Sequence, residues 1–325
     1  MFFVAASLSA VGAAGPASVA MVAPIGIGFA LRYRISPLVV GLMIVNGAGA
    51  GSFSPIGIFG SITNNVVERN GLETNPPVLF VLRMLLNVLL GVVIVSLLGA
   101  RDGAAYEAIG AGASAGPPDP AVPPVVALDR NRALTVAGLV VLAVGALFFD
   151  LDVGFSAFVL AVLLSAVDPI GAKGAVAQIA WSTVLLVCGI VTYVSLMDTL
   201  GTIDYLGESV AAIGFVLVGA LAICYIGGVI SAFASTTGIL GALIPLAVPF
   251  LERQDLSAIG LVTALAFSAS AVDSSPFSTS GSLIVANAPE EIRDLVYRRL
   301  LQWGFAMVAI APLTSWLILV VPGWL

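Results

Sequence analysis

The sequence predicts an all-α polytopic membrane protein built from two inverted repeats, each with a re-entrant helical hairpin and a broken transmembrane helix. Three observations predict it. Hydrophobic residues make up 60% of the chain and charged residues 9%, with a mean hydropathy of +1.13; a soluble domain carries about a quarter charged residues. Apolar stretches of about 20 residues recur, each long enough to cross a hydrocarbon layer of ~30 Å. Finally, residues 13–61 align with residues 234–282 without a gap.

Composition also excludes function classes. The formal net charge is −6, so there is no basic surface for nucleic acid. Histidine is absent, which removes the commonest metal ligand and the usual general base. A zinc site or a Ser-His-Asp triad is therefore not expected, and neither is an enzyme. Cys188 and Cys224 both lie in apolar spans, where they act as small hydrophobes and imply no disulfide framework. No cofactor is expected. Residues 1–14 are apolar without a basic residue, unlike the charged start of a signal peptide; they read as the first leg of a membrane element.

The repeat is visible by adding 221 to residue numbers in the first half. Pro24 then meets Pro245, Phe29 meets Phe250, Arg32 meets Arg253 and Ser36 meets Ser257. Ser54-Pro55 meets Ser275-Pro276, and Gly60-Ser61 meets Gly281-Ser282. Apolar bias alone does not align proline, arginine and Ser-Pro in one register, so the reading is a true duplication.

Each copy reads in the same order. An apolar leg (1–13; 213–233) reaches a tip of small or polar residues, Ala14-Gly15-Pro16 or Ser235-Thr236-Thr237. A second leg returns (17–31; 238–251) and ends in a charged turn. The returning legs read as about 15 residues, or ~22 Å of helix, which is short of a crossing and predicts a re-entrant hairpin. A further apolar run follows, interrupted at 46–55 in the first copy and 268–276 in the second. Glycine, serine and proline at that density break a straight helix. Irregular backbone at that depth is tolerated where it is buried or lines a cavity.

The remaining spans are 77–99, 134–151, 155–167, 179–197 and 299–321. Counting crossings puts Arg32, Arg34, Arg101, Arg130, Arg132, Lys173, Arg293, Arg298 and Arg299 on one side, against Arg69 and Arg253 on the other. The positive-inside rule makes the first side cytoplasmic. The expectation is a multi-pass protein of the cell inner membrane, its hairpins opening to opposite faces and its C-terminus periplasmic or extracellular. That inversion depends on the short segment 155–167 crossing. The division is 1–100 for the first repeat, 101–131 for a flexible Gly/Pro-rich cytoplasmic linker, and 132–325 for the second repeat.

Two tips facing two broken helices form a site between repeats, as in secondary transporters. Helix N-termini there favour an anion. The substrate-binding candidates are Ser235, Thr236, Thr237, Gly15, Asn46, Ser54, Ser275 and Ser278. Carbonyl ends before each break suit a cation, with Asp273, Ser270 and Gly49 as candidates and Na⁺ placed near Asp273. Each has a second reading. Residues 235–237 serve a ligand or cap the next helix. Asp273 binds a cation or proton, or caps a half-helix. Asn46 meets substrate or satisfies freed backbone groups. Gly47, Gly49 and Gly51 supply backbone shape or carbonyl ligands. Arg83 and Asn87 share one helix face; Arg83 reads as snorkelling to the nearer interface. No arginine falls in either hairpin or either broken helix, so a carboxylate would be held by dipoles and neutral donors. Lys173 reads as topogenic, and Trp181, Trp303, Trp316 and Trp324 as interface anchors.

Residues 14–24, 44–64, 180–189 (AWSTVLLVCG), 235–245 and 268–287 together resemble the ion-transporter superfamily, and within it the MatC-type malonate/dicarboxylate carriers related to divalent anion:sodium symporters. The resemblance implies alternating access of an elevator type and, for some members, a homodimer. In related sodium–dicarboxylate carriers each hairpin tip carries a Ser-Asn-Thr triplet. The second tip here, Ser235-Thr236-Thr237, is close to it; the first, Ala14-Gly15-Pro16, has lost all three polar side chains. Na⁺ or H⁺ coupling is thus left open. Such carriers also have about three spans before the first hairpin, and the expectation is that these are missing here. The function expected is cation-coupled uptake of a small dicarboxylate anion, malonate or a C4 acid, across the lipid bilayer. The alternatives are carriage of another anion in the same superfamily and a truncated, non-transporting remnant.

Overall fold

The computed structural model describes residues 1–69, 71–72, 75–110, 130–149, 151, 153–169, 172–179, 181–202, 205, 216–233, 236–252 and 256–323. The linker from 111 to 129, Ser235, the turn 253–255, and Asp150, Asp152, Asp204 and Glu208 lie outside them. Among the described residues the secondary structure is helical, with no strand. This is an all-α polytopic membrane protein. Among the described residues, four segments are long and apolar enough to span: Gly15–Arg32, Pro76–Gly99, Ala258–Asn287 and Glu290–Val320.

The first copy runs α1 (Phe2–Ala10), α2 (Gly15–Arg32), α3 (Pro37–Gly51), α4 (Ile58–Arg69) and α5 (Pro76–Gly110). Then come α6 (Arg130–Phe148), α7 (Val153–Val167) and α8 (Trp181–Thr199). The second copy contains α9 (Val216–Phe233), α10 (Thr236–Glu252), α11 (Ala258–Ala271), α12 (Thr279–Asn287) and α13 (Glu290–Ser315).

The 221-residue register reaches individual hydrogen bonds. Ser36 caps α3 by accepting from Val39 N at 3.4 Å, and Ser257 caps α11 by accepting from Gly260 N at 3.1 Å. The first break, between α3 and α4, closes with Ser54 N→Gly51 O, Gly57 N→Ser54 O and Ser61 N→Gly57 O. The second break, between α11 and α12, repeats them as Ser275 N→Val272 O, Ser278 N→Ser275 O and Ser282 N→Ser278 O. A Cβ on Gly60 would stand 2.0 Å from Ser54 O, and one on Gly281 2.0 Å from Ser275 O. Only glycine lets the following half-helix start over the break. These bonds satisfy backbone groups that hydrocarbon would leave unpaired.

The broken helices occupy the centre. Nearly every residue of α3 and α11 is buried, as expected of helices apolar all round. Between helices in lipid, close van der Waals contact replaces the hydrophobic drive, and small residues allow it. Gly47 and Gly51 do this on α3: added Cβ atoms would sit 2.2 Å from Phe2 O and 2.0 Å from Ala6 O, so α1 lies backbone against backbone on α3. The counterpart pair is α9 on α11. The copies also interlock. α2 packs on α12, and its counterpart α10 packs on α4. Outside them, α5 packs on α3 and α13 on α11.

Three expectations change. The breaks start later than the composition suggests: helix continues to Gly51 and Ala271, leaving Asn46, Gly47 and Gly49 inside α3. A helix meets its own backbone hydrogen bonds in an apolar setting, which outweighs glycine's weak propensity. The returning legs are longer than read, 18 residues in α2 and 17 in α10, or roughly 26 Å; leg length therefore no longer argues for re-entrancy. Lastly, residues 101–110 of the expected linker continue α5 as helix.

Candidate functional site

The two breaks, Ser52–Gly57 and Val272–Ser278, meet the hairpin tips and the first half of α5. Each break is tied to its own hairpin by a serine. Ser54 Oγ donates to Ala10 O at 2.7 Å, and Ser275 Oγ donates to Ala232 O at 3.2 Å. Gly15, first residue of α2, faces the Ser52 hydroxyl; a Cβ there would be 3.4 Å from Ser52 Oγ. Thr236 opens α10, buried, with its hydroxyl 2.9 Å from Ser231 Oγ. Thr237 follows it in the helix.

Asp273 lies in the short 3₁₀ turn Val272–Ser274. Ser280 Oγ donates to its Oδ2 at 3.4 Å, and Thr236 is a second hydroxyl partner of the carboxylate. The second tip, the second break and the half-helix α12 thus converge on one carboxylate. Ser278 caps α12: its hydroxyl accepts from Gly281 N at 3.0 Å and donates back to the Asp273 and Ser275 carbonyls. Asp273 itself does not supply that cap.

Asn46, Gly49, Asn87, Ser270, Ser274 and Trp303 help line a cavity of about 10 Å³, room for about one water molecule. Asn46 Nδ2 donates to Asn87 O at 2.6 Å, joining α3 to α5. Trp303 Nε1 donates to Ser274 Oγ at 3.1 Å, so Trp303 is buried against the second break and is not an interface anchor. A larger cavity of about 1150 Å³ lies by the first hairpin, among α1, α4, α6 and α7. Among the described residues its polar lining side chains are Ser7 and Ser61, neither of them charged.

Arg83, like Trp303, lies elsewhere than the sequence suggests. Arg83 does not snorkel: it is 0% exposed. The residue lies about 10 Å along α5 from Pro76. Its guanidinium carbon stands 4.1 Å from the centre of the Phe53 ring and 5.1 Å from that of Phe267. Its Nη2 donates to the Ser270 hydroxyl. The two rings come from the two copies, one at the first break and one on α11, so a cation from α5 reaches the junction of both. The available signal was the charge itself, since an ionisable group well inside a span is a functional candidate by default.

The positions named from sequence therefore divide into neighbourhoods. Asp273, Thr236, Ser275 and Ser278 gather at the second break; Gly15 and Ser54 lie at the first; Asn46, Gly49 and Ser270 border the small cavity.

Comparison with protein families matches two of them in chain order. The profile described as "Dicarboxylate carrier protein MatC N-terminus" matches residues 1–52, covering the first hairpin and α3. The profile described as "Citrate transporter" matches residues 146–323, more than half of the chain, and contains the second hairpin, the second break and α13. Comparisons with curated proteins and with solved structures give no match. The chain belongs to the citrate-transporter family, and its first 52 residues are similar to the N-terminus of MatC-type dicarboxylate carriers, consistent with a MatC-type carrier of the ion-transporter superfamily.

Proposed function

We propose that the protein is a secondary active transporter that takes up small dicarboxylates, of malonate or C4 size, driven by Na⁺ or H⁺, through alternating access of two inverted repeats. The observation that carries this reading is the duplicated helix break at the buried centre, three of whose backbone hydrogen bonds recur 221 residues apart. Two such breaks expose helix ends where a single continuous helix would have none.

The residues divide the work. Half-helix and hairpin N-termini at Gly15, Thr236 and Thr279, with the hydroxyls around them, offer donors to carboxylates. The coupling ion belongs at Asp273, which holds a proton or, with the hydroxyls of Thr236 and Ser280, part of a Na⁺ shell. Ser270 already accepts from the Arg83 guanidinium, whose charge repels a bare cation, so coupling rests on Asp273. A second reading, a tricarboxylate as substrate, is favoured by the citrate-transporter match over most of the second copy.

The test is uptake of labelled malonate, succinate and citrate into proteoliposomes, with Na⁺ and pH gradients imposed separately. One gradient should drive one of the acids. Asp273→Asn should abolish that drive, and Thr237→Ala should weaken uptake. Uptake that is identical in both variants and the parent rejects the site; the absence of uptake of any of the three acids under either gradient rejects the function.

A further inference from the structure

We propose that Arg83 is a substrate-binding residue, the positive charge that receives a carboxylate of the transported acid when the two broken helices part. The inference rests on the transport reading above and names what its site uses to select an anion.

The geometry is that of a guanidinium held but not satisfied. Of its five N–H donors, one goes to Ser270. Nε and Nη1 are fully buried with no hydrogen-bond partner among the described residues. The flanking Phe53 and Phe267 rings orient the guanidinium plane and attract its charge, yet they accept no conventional hydrogen bond. Arginine stays charged in proteins, so it cannot escape the cost of burial by losing its proton. A structural pin between two helices would be made more cheaply by an apolar residue of the same volume. A buried, oriented cation with free donors fits an anion that binds intermittently, and the planar fork suits a carboxylate.

Position supports the same role. Arg83 touches Phe53 beside the first break and both Phe267 and Ser270 on α11 before the second. It borders the small cavity through two neighbours: Ser270, its acceptor, and Asn87, whose Nδ2 donates to Arg83 O at 2.9 Å. That cavity is too small for a dicarboxylate, so the conformation described is closed. Opening between the copies enlarges it toward the guanidinium, and a carboxylate then replaces Ser270 as the partner.

The experiment uses the full-length chain, purified and in proteoliposomes, with malonate, succinate and citrate as probes. Thermal stabilisation by ligand gives affinity, and uptake gives KM and kcat. R83Q removes the charge; R83K keeps it without the fork. Loss of a charge-assisted bond should weaken binding about 10- to 100-fold, so R83Q should need about 10- to 100-fold more ligand than the parent for the same stabilisation. R83K should transport with KM raised about tenfold or more, because a point charge does not replace the fork. A merely structural role predicts something else: lower stability without ligand, but unchanged KM and ligand response. A parent that binds and transports while both variants keep its KM overturns this inference alone. A parent that neither binds nor transports any of the three acids overturns the transport reading and this inference with it.

Discussion

Three glycines on α3 make a test that separates packing from backbone flexibility. Gly47, Gly49 and Gly51 lie in one helix within five residues, and each gains helix propensity on change to alanine, about 1 kcal/mol. Their surroundings differ. A Cβ on Gly51 would come within 2.0 Å of Ala6 O and 2.9 Å of Ala10 N, and one on Gly47 within 2.2 Å of Phe2 O, whereas Gly49 has nothing within 4 Å. Ordinary Cβ contacts begin near 3.4 Å, so α1 would have to withdraw by more than 1 Å. The obstructing atoms are backbone, with no side chain able to turn aside. Overpacking then costs about 3 kcal/mol, the upper end of its usual range. After the propensity gain, Gly47→Ala and Gly51→Ala should each lose about 2 kcal/mol, and Gly49→Ala should gain about 1 kcal/mol. The assay is a thiol-reactive dye followed during heating of the detergent-solubilised protein. Cys224 is buried and reports unfolding; exposed Cys188 is changed to serine to remove its background. Both outer variants should melt several degrees below the parent, with Gly49→Ala at or above it. Equal melting of all three, or a Gly49 variant as damaged as that of Gly51, would refute backbone-to-backbone packing of α1 on α3.

Other predictions follow from the duplicated contacts. Ser54→Ala and Ser275→Ala each remove one hydroxyl–carbonyl bond between a break and its hairpin; each should cost about 1 kcal/mol, and the double variant should show the sum in the same melting assay. Ser36→Ala and Ser257→Ala remove equivalent N-caps and should likewise lose about 1 kcal/mol apiece, with Ser→Asp restoring most of it. Trp303→Phe removes the donor to Ser274 and should cost about 1 kcal/mol, measured by melting; emission from this buried indole should also be blue-shifted relative to the exposed Trp181, read by comparing the two Trp→Phe difference spectra.

Local patterns in the chain were enough for the membrane class, for spans such as 77–99 and 299–321, and for the register. Membrane insertion follows from runs of apolar residues, a property of consecutive positions. The duplication shows because Pro24, Ser36, Ser54-Pro55 and Gly60 recur at one spacing as Pro245, Ser257, Ser275-Pro276 and Gly281. Those residues set backbone geometry by themselves, through a fixed φ, a side-chain cap or a missing Cβ, so their spacing carries over directly into matching turns. Asp273 was legible for a similar reason, as a lone carboxylate inside an apolar break.

Only tertiary structure decided what faces what. Gly47 and Gly51 looked like helix breakers; α1 lying on them makes them packing surfaces within a continuous helix. Trp303 looked like an anchor at the lipid surface until Ser274 supplied its hydrogen-bond partner. Arg83 is the clearest case. Its neighbours Phe53, Phe267 and Ser270 come from distant parts of the chain and from both copies. An arginine at that depth on α5 can extend to the interface or turn inward, and its own helix is compatible with both. The choice belongs to the elements packed against α5, which close over the guanidinium on every side and leave it a buried cation at the meeting point of the two breaks.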